Sequence, residues 1–316
     1  VHLRPATTDD LGALLAFPLD PHLAGVEPDR LQEEVQAGRM RWSWTWLAEE
    51  EDGTVVGRAL WWGRPDGTTP LTLDCLHVLD RVEDRPALAA GLLRAAHSAF
   101  ATADATRPPE YQLTLPPHWR ASPATVEAVS WRVRAAAVVG LSEQLERLRF
   151  EWTPESPAPG PSRRLHFRAG DEQEFLDLFQ RCAVDTLDVT TRRSLAVVDP
   201  AAQARDDYAF YLSCPGDRDW WRVATTPAGE PVGFVVPSAT PYSRNVGYLG
   251  VLPAHRGLGL VDDLLGEVTR FHAAAGAQRT TATTDVTNTP MAAAFERAGY
   301  RVTETRLVLE ASGAAT

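Results

Sequence analysis

Between Gly247 and Phe271 the spacing of apolar positions changes from that of a strand to that of a helix. Residues 247–252 (Gly-Tyr-Leu-Gly-Val-Leu) are mostly apolar and read as a short buried strand, which Pro253 ends by removing a hydrogen-bond donor. A polar, glycine-containing turn follows, and then Leu260, Val261, Leu264, Leu265, Val268 and Phe271 recur at helical spacing as one apolar stripe. Elsewhere the same two periods alternate. Leu3 to Leu11 and Leu165 to Phe175 each read as a short strand, a polar capping turn and the start of a helix. Thr280 to Asp285 is a β-prone run, and Asn288 to Gly299 opens a further helix with Pro290 in its first turn. Trp42, Trp44 and Trp46 alternate on a predicted strand, which places all three rings on one face, lining a core or a seam.

The pattern occurs twice. At one constant offset Trp44, Ala48, Gly53, Val56 and Gly57 align with Trp220, Ala224, Gly229, Val232 and Gly233, each set reading as strand, glycine turn, strand. At a smaller offset Gly140, Arg147, Leu148 and Glu151 align with Gly299, Arg306, Leu307 and Glu310, where a helix ends at Gly and an alternating strand follows. The change of offset places extra residues in the first copy around 100–125. Between the copies lies a stretch with Pro154, Pro157, Pro159 and Pro161, which cannot enter a helix or a central strand and reads as a stiff linker. The expected organisation is a domain at 1–152, a linker at 153–164 and a domain at 165–312, both of α/β class.

Composition narrows the function classes. The chain of 316 residues has a formal net charge of −11, and acids outnumber arginines on both sides of the linker. With no basic run, nucleic acid and anionic membrane are poor partners. No apolar run approaches the length of a membrane span, and the first thirty residues carry no signal-peptide core. Cys75, Cys182 and Cys214 are widely spaced, which points to reduced thiols in a cytoplasmic setting and to no metal site.

The turn before the second long helix carries the chemistry. Gly257 and Gly259 sit where strand becomes helix, so a ligand can approach the backbone closely, and the unpaired N–H groups of a helix start suit a phosphate or pyrophosphate. Val251-x-Pro253-x-x-Arg256-Gly257-x-Gly259-x-Val261 resembles the acyl-CoA signature of the GCN5-related N-acetyltransferase (GNAT) superfamily, which ends in Gly or Ala where Val261 stands, a branched side chain on the phosphate side. Asn288 to Gly299 resembles the family's Asn-x-x-Ala-x-x-x-Tyr-x-x-x-Gly-Phe segment, with Met291 for Ala, Phe295 for the tyrosine and Tyr300 for the last Phe. The resemblance implies tandem GNAT-like domains, each a mixed, mostly antiparallel, splayed sheet flanked by helices. Length and tandem layout are similar to mycothiol synthase, an identity that Asn245 and Phe295, standing at the family's Glu and Tyr positions, do not support. The first copy has no Gly in the equivalent turn, and its Asp80, Glu83 and Asp84 would repel a pyrophosphate. It is expected to be a degenerate copy that holds no acyl-CoA.

The resemblance further implies an N-acetyltransferase that moves acetyl from acetyl-CoA, a co-substrate, to a small-molecule amine by direct attack in the second domain, as a monomer or homodimer. Amides from Arg256 through Gly257, Leu258, Gly259, Leu260 and Val261 would hold the pyrophosphate, and those at Leu249 and Val251 would meet the thioester. Asn288 would contact the pantetheine arm and Phe295 would line it. Asp262 and Asp263 suit the first helical turn but must point away from phosphate. A primary ammonium must lose a proton before attack, and Tyr248 and Asp285 are the candidates to serve, with a core residue and a capping acid as their plainer readings. Acids and tyrosines at Cys182–Asp188 and Asp206–Tyr211 would face a cationic amine, or simply form solvated helix faces. Two other readings stay open: a catalytically weak or inactive acyl-CoA-binding sensor on the same fold, and a nucleotide-binding domain that uses the glycine turn for another phosphate.

Overall fold

A computed structural model of the chain describes residues 1–101 and 107–312. Of the insertion expected around 100–125, residues 102–106 lie outside the described residues. The chain divides into two compact units, Val1–Glu146 with Glu304–Thr316, and Arg147–Thr303.

The first unit is built from β1 (His2–Pro5), α1 (Leu11–Ala16), α2 (Pro28–Gln36), β2 (Met40–Glu49), β3 (Val55–Trp62), β4 (Thr72–Val78), α3 (Arg85–Phe100), β5 (Glu110–Leu115) and α4 (Pro123–Val138). β6 (Glu143–Trp152) then leads into the second unit. There follow β7 (His166–Arg168), α5 (Glu172–Ala183), α6 (Val189–Leu195), α7 (Pro200–Ser213), β8 (Arg222–Thr225), β9 (Pro231–Ala239), β10 (Arg244–Val251), α8 (Leu260–Ala274), β11 (Thr280–Asp285), α9 (Thr289–Arg297) and β12 (Arg301–Glu310).

Within the first unit the strand order is β1-β2-β3-β4-β5-β12, antiparallel except between β4 and β5. Within the second it is β6-β11-β10-β9-β8-β7, antiparallel except between β10 and β11. The repeat-ending strands are therefore exchanged. β12 pairs Thr305 through Leu309 with Leu115 through Tyr111 and buries Leu307 and Leu309 in the first unit's core. β6 pairs Arg147 through Trp152 with β11 and buries Phe150 and Trp152 in the second. Both alternate apolar and polar residues with period two, so either could satisfy a half-buried sheet edge.

The duplication is visible in the backbone. Ala48 faces Gly57 across β2 and β3, and Ala224 faces Gly233 across β8 and β9. The hairpin turns match bond for bond: Gly53 N–H donates to Glu50 O and Gly229 N–H to Thr226 O, each glycine with φ above +80°. In each unit the parallel pairing lasts only two residues per strand before the strands part, Thr72 and Leu73 against Glu110 and Tyr111, and Arg244 and Asn245 against Thr280 and Thr281. A bulge accompanies each splay, one extra residue at Asp74 in β4 and one between Asn245 and Tyr248 in β10.

A bulge also corrects the tryptophan expectation. Trp44 and Trp46 lie in the core beneath α3 and α4, but Trp42 packs on the opposite face with Leu31 and Leu47. The register of β2 against β3 slips between Met40 and Thr45, which reverses the facing of the residues before it. Among the described residues no helix is long and apolar enough to cross a membrane, and no group of His, Cys, Asp or Glu is arranged to hold a metal ion.

Candidate active site

In the second unit β10 runs from its bulge into a 3-10 turn at Pro253–His255, the glycine turn and helix α8. Gly257 and Gly259 have φ of 76° and 69°, with open space around Gly257 and only Arg164 Nη2, at 4.0 Å, near a Cβ built on Gly259. Glycine is required there by backbone conformation and not by crowding. Leu258, between two glycines at positive φ, has no positive φ itself, the kind of alternation from which anion-binding nests of backbone amides are built. Those of Gly257, Leu258, Gly259, Leu260 and Val261 have no hydrogen-bond partner among the described residues. The Arg256 amide, by contrast, donates to Pro253 O at 3.3 Å.

The two acids of the first helical turn each have a cationic partner. Asp262 is held by Arg297 at 2.7 Å, and Asp263 is held by Arg164 and by the Ser162 hydroxyl at 2.7 Å. Both first-turn acids thus keep their favourable place near the helix dipole while their charge is drawn aside. Val261, expected to crowd the phosphate side, packs against the buried cluster of Leu264 and Leu265. Arg256 turns inward: its guanidinium donates to Val251 O (3.1 Å), Cys182 O (2.8 Å), Val184 O (2.8 Å) and Asp185 O (3.2 Å). It caps the orphan carbonyls at the end of α5 and ties them to β10.

The splay opens the site. Leu252 N–H donates to Val232 O, so by antiparallel alternation Tyr248 and Gly250 also direct their amides toward β9. Leu249 and Val251 direct theirs to the other side, where β11 has already diverged. The bulge is locked by Asn245, whose side chain accepts from Gly247 N–H at 2.7 Å and donates to Thr281 Oγ1 at 3.1 Å. Gly247 could carry no Cβ there, since Val236 O would lie 2.1 Å from it. α5 packs closely enough on β10 that Cys182 Sγ comes within 2.9 Å of a Cβ built on Gly250. Burial pushes the Cys182 thiol up to about 12, so it is no nucleophile.

The two catalytic candidates have different surroundings. Asp285 is buried, its Oδ1 paired with Arg147 Nε at 3.0 Å and its Oδ2 accepting from Val189 N–H at 2.7 Å. With both oxygens hydrogen-bonded, Asp285 ties β6 to the start of α6. Tyr248 lies half-buried among Phe179, Phe234 and Tyr211, its ring 5.7 Å from that of Tyr211. Burial raises its hydroxyl well above the ordinary tyrosine range, so it keeps its proton and can only donate.

On α7, Asp207 sits one turn before Tyr211 and accepts from Gln203 Nε2 at 2.9 Å. Burial pushes its carboxyl up to about 6 against that hydrogen bond, and Asp188 and Asp206 add to the rise. Asp188 is the N-cap of α6 and accepts from Thr191 N–H at 2.7 Å. Asn288 is half-buried at the N-cap of α9, its side chain making no capping bond. Phe295 is buried, stacked 4.8 Å from Phe150 and tilted 5.3 Å from Tyr300, in the core beneath the site.

The equivalent turn in the first unit is closed on itself. Asp84 is the N-cap of α3 and accepts from Ala87 N–H at 2.9 Å, while Asp80 pairs with Arg85 at 2.6 Å. No residue from Leu79 to Arg85 has positive φ. The segment before α2 also covers the mouth of the β4–β5 splay, where Ala24 N–H donates to Thr114 O and Asp20 pairs with the buried Arg132 at 2.9 Å.

Two residues escaped the sequence reading. Asp207 was grouped with its neighbours, and only the packing of α6 on α7 singles it out. Arg164, in the proline-rich stretch, carried no motif, yet it bonds to Leu258 O and Gly259 O at 2.9 Å each.

Residues 177–300 match the model of the acetyltransferase (GNAT) family, a span that holds the turn, the splay and α9. A GCN5-related N-acetyltransferase from Sphaerobacter thermophilus is 17% identical, with 98% of this chain and 94% of that chain covered at a TM-score of 0.55. A GCN5-related glucosamine N-acetyltransferase region of a fungal multi-domain β-N-acetylglucosaminidase is 12% identical at a TM-score of 0.55, with 97% of this chain and 38% of that chain covered. These likenesses are of fold. No curated protein sequence gives a significant match. The match to the GNAT family covers less than half of the chain and lies within the second compact unit, which carries a domain similar to that family, and the likeness over the rest of the chain is one of fold.

Proposed function

We propose that the protein transfers acetyl from acetyl-CoA to a small-molecule amine, by direct attack within the second unit. The observation that carries the reading is the run of unpartnered amides from Gly257 to Val261 beside the splay of β10 from β11. The donor set fits a pyrophosphate: backbone N–H groups at a helix start, with the two first-turn acids each paired to an arginine. Acetyl-CoA, when bound, supplies the electrophilic thioester. The amides of Leu249 and Val251, aimed into the splay, would orient its carbonyl and stabilise charge on that oxygen. Asn288 would take the amide groups of the pantetheine arm, and Phe295 would support that wall from beneath.

On the acceptor side, Asp207 and Asp188 supply negative charge near the aromatic walls of Tyr211 and Tyr248. An ammonium is drawn to such a place, and Asp207 Oδ2 is the oxygen available to hold its proton. Tyr248 Oη, protonated throughout, would serve as a donor to the departing thiolate. The first unit would act as scaffold, its turn capped by Asp84 and holding no acyl-CoA.

A non-catalytic acyl-CoA-binding protein is the second reading, favoured by Phe295, which has no hydroxyl, and by Asn245, which is committed to the bulge. Titration with acetyl-CoA followed by a free-thiol assay over a panel of primary amines separates the two. The proposal expects binding and amine-dependent thiol release. Binding with no release on any amine would favour the second reading, and no binding would defeat both.

A further inference from the structure

We infer that Arg164 is a positioning residue that sets the direction of the phosphate-binding amides, an inference that rests on the acyl-CoA reading of the glycine turn. The guanidinium reaches the turn from the proline-rich stretch. Nη1 donates to Leu258 O and Nη2 to Gly259 O, each at 2.9 Å, and Nη2 also pairs with Asp263 Oδ2. All three acceptors are groups that would repel a phosphate.

The consequence follows from the peptide unit. Every peptide bond of the described residues is trans, so each carbonyl points opposite to the N–H of the next residue. Holding the oxygens of Leu258 and Gly259 against Arg164 therefore turns the N–H groups of Gly259 and Leu260 to the far side. A turn with two glycines at positive φ has many alternatives in the absence of such a restraint. The planar fork of Arg spans adjacent carbonyls, which a point-charge ammonium cannot do equally well.

The stretch that carries Arg164 is itself fixed. Ser156 Oγ donates to Gly299 O at 2.9 Å, Arg270 Nη1 donates to Gly160 O at 2.8 Å, and Ser162 Oγ receives the amides of Arg164 and Leu165. Pro159 lies 3.3 Å from a Cβ built on Gly266, so α8 is grooved to let the segment cross. The segment expected to be a linker is thus a strap along the helix whose N-terminus it orients.

The test compares two ligands on the full chain. Acetyl-CoA carries the pyrophosphate and S-acetylpantetheine does not. Arg164→Ala should weaken acetyl-CoA binding by about tenfold or more, the equivalent of one charge-assisted hydrogen bond, and leave S-acetylpantetheine unchanged. Arg164→Lys should recover little of the loss. Asp263→Asn, which keeps the carbonyl contacts, should bind acetyl-CoA at least as tightly as the unaltered protein. Equal weakening of both ligands, no weakening by Arg164→Ala, or full rescue by Lys would each overturn the inference. If Arg164→Ala melts below the assay temperature, the Lys and Asn variants decide it by the same criteria. Binding of neither ligand by the unaltered protein would defeat the acyl-CoA reading first, which is a distinct outcome from normal binding that ignores Arg164.

Discussion

Gly259→Ala isolates the conformation of the glycine turn from its chemistry. Gly259 has φ 69° and ψ 18° at the N-cap of α8, and a Cβ there meets nothing closer than Arg164 Nη2 at 4.0 Å. The substitution therefore clashes with nothing and costs only the left-handed conformation, about 1–2 kcal/mol for a residue with a Cβ. The free protein relieves that strain by moving the turn to negative φ, which rotates the Gly259 and Leu260 amides. A bound pyrophosphate must pull them back, so the same 1–2 kcal/mol reappears as weaker binding, about 5- to 30-fold in Kd for acetyl-CoA. Gly276→Ala is the matched control. Gly276 lies beyond the far end of α8 with φ 76° and nothing within 4 Å, so it carries the same strain with no amide to misdirect. Isothermal titration with acetyl-CoA, alongside thermal melting, gives both quantities. Gly276→Ala should lose a few degrees of melting temperature, about 2–4 °C for each kcal/mol, whereas Gly259→Ala, its turn relaxed in the free protein, should melt closer to the unaltered protein and lose affinity instead. Equal Kd values for the two variants would refute the claim that this turn's conformation carries the binding.

Two further outcomes follow from the acids of the second unit. Asp207, raised to about 6 by burial, is a base only when deprotonated, so kcat/KM for an amine should fall as pH drops through about 6 and level off above it. Asp207→Asn should remove that acid limb together with most of the rate, and a limb left unchanged in the variant would reject Asp207. Asp285→Ala should cost about 1–3 kcal/mol of stability by leaving the Val189 amide and Arg147 Nε without their acceptor, while Arg147 keeps its bond to Thr190. It should leave the acid limb of the pH profile in place; loss of the limb would place Asp285 in the reaction.

What the sequence disclosed and what it hid differ by the range of the interactions involved. Gly257, Gly259 and the apolar stripe from Leu260 to Phe271 are local, and their turn, helix and exposed amides could be read in order along the chain. The duplication was equally legible, since Gly53 and Gly229 must each supply positive φ in the same hairpin. Trp42 was misplaced because alternation assumes an unbroken strand, and a slip of register before Thr45 leaves no mark in residue types. Arg164 touches carbonyls more than ninety residues away, and Asp285 is paired with an arginine 138 positions earlier. Neither partner could be chosen among the chain's many arginines by spacing. Asp207 differs from Asp206 only in which way the helix turns it, inward to Gln203 instead of outward to solvent. The exchange of β6 and β12 was hidden for a related reason: both strands carry the same alternation, and pairing is settled by the sheet each one meets.

The central claim is that one of two similar units binds acetyl-CoA, through the open amides of its glycine turn. Calorimetric titration of the intact chain with acetyl-CoA tests it most directly, because it returns affinity and stoichiometry together. The account predicts one molecule bound per chain, with binding abolished by Gly259→Asp, which adds a negative charge to the turn and strain at its positive φ, and untouched by replacement of Asp80 with Asn. A stoichiometry of two, binding that survives Gly259→Asp, or no binding at all would contradict it.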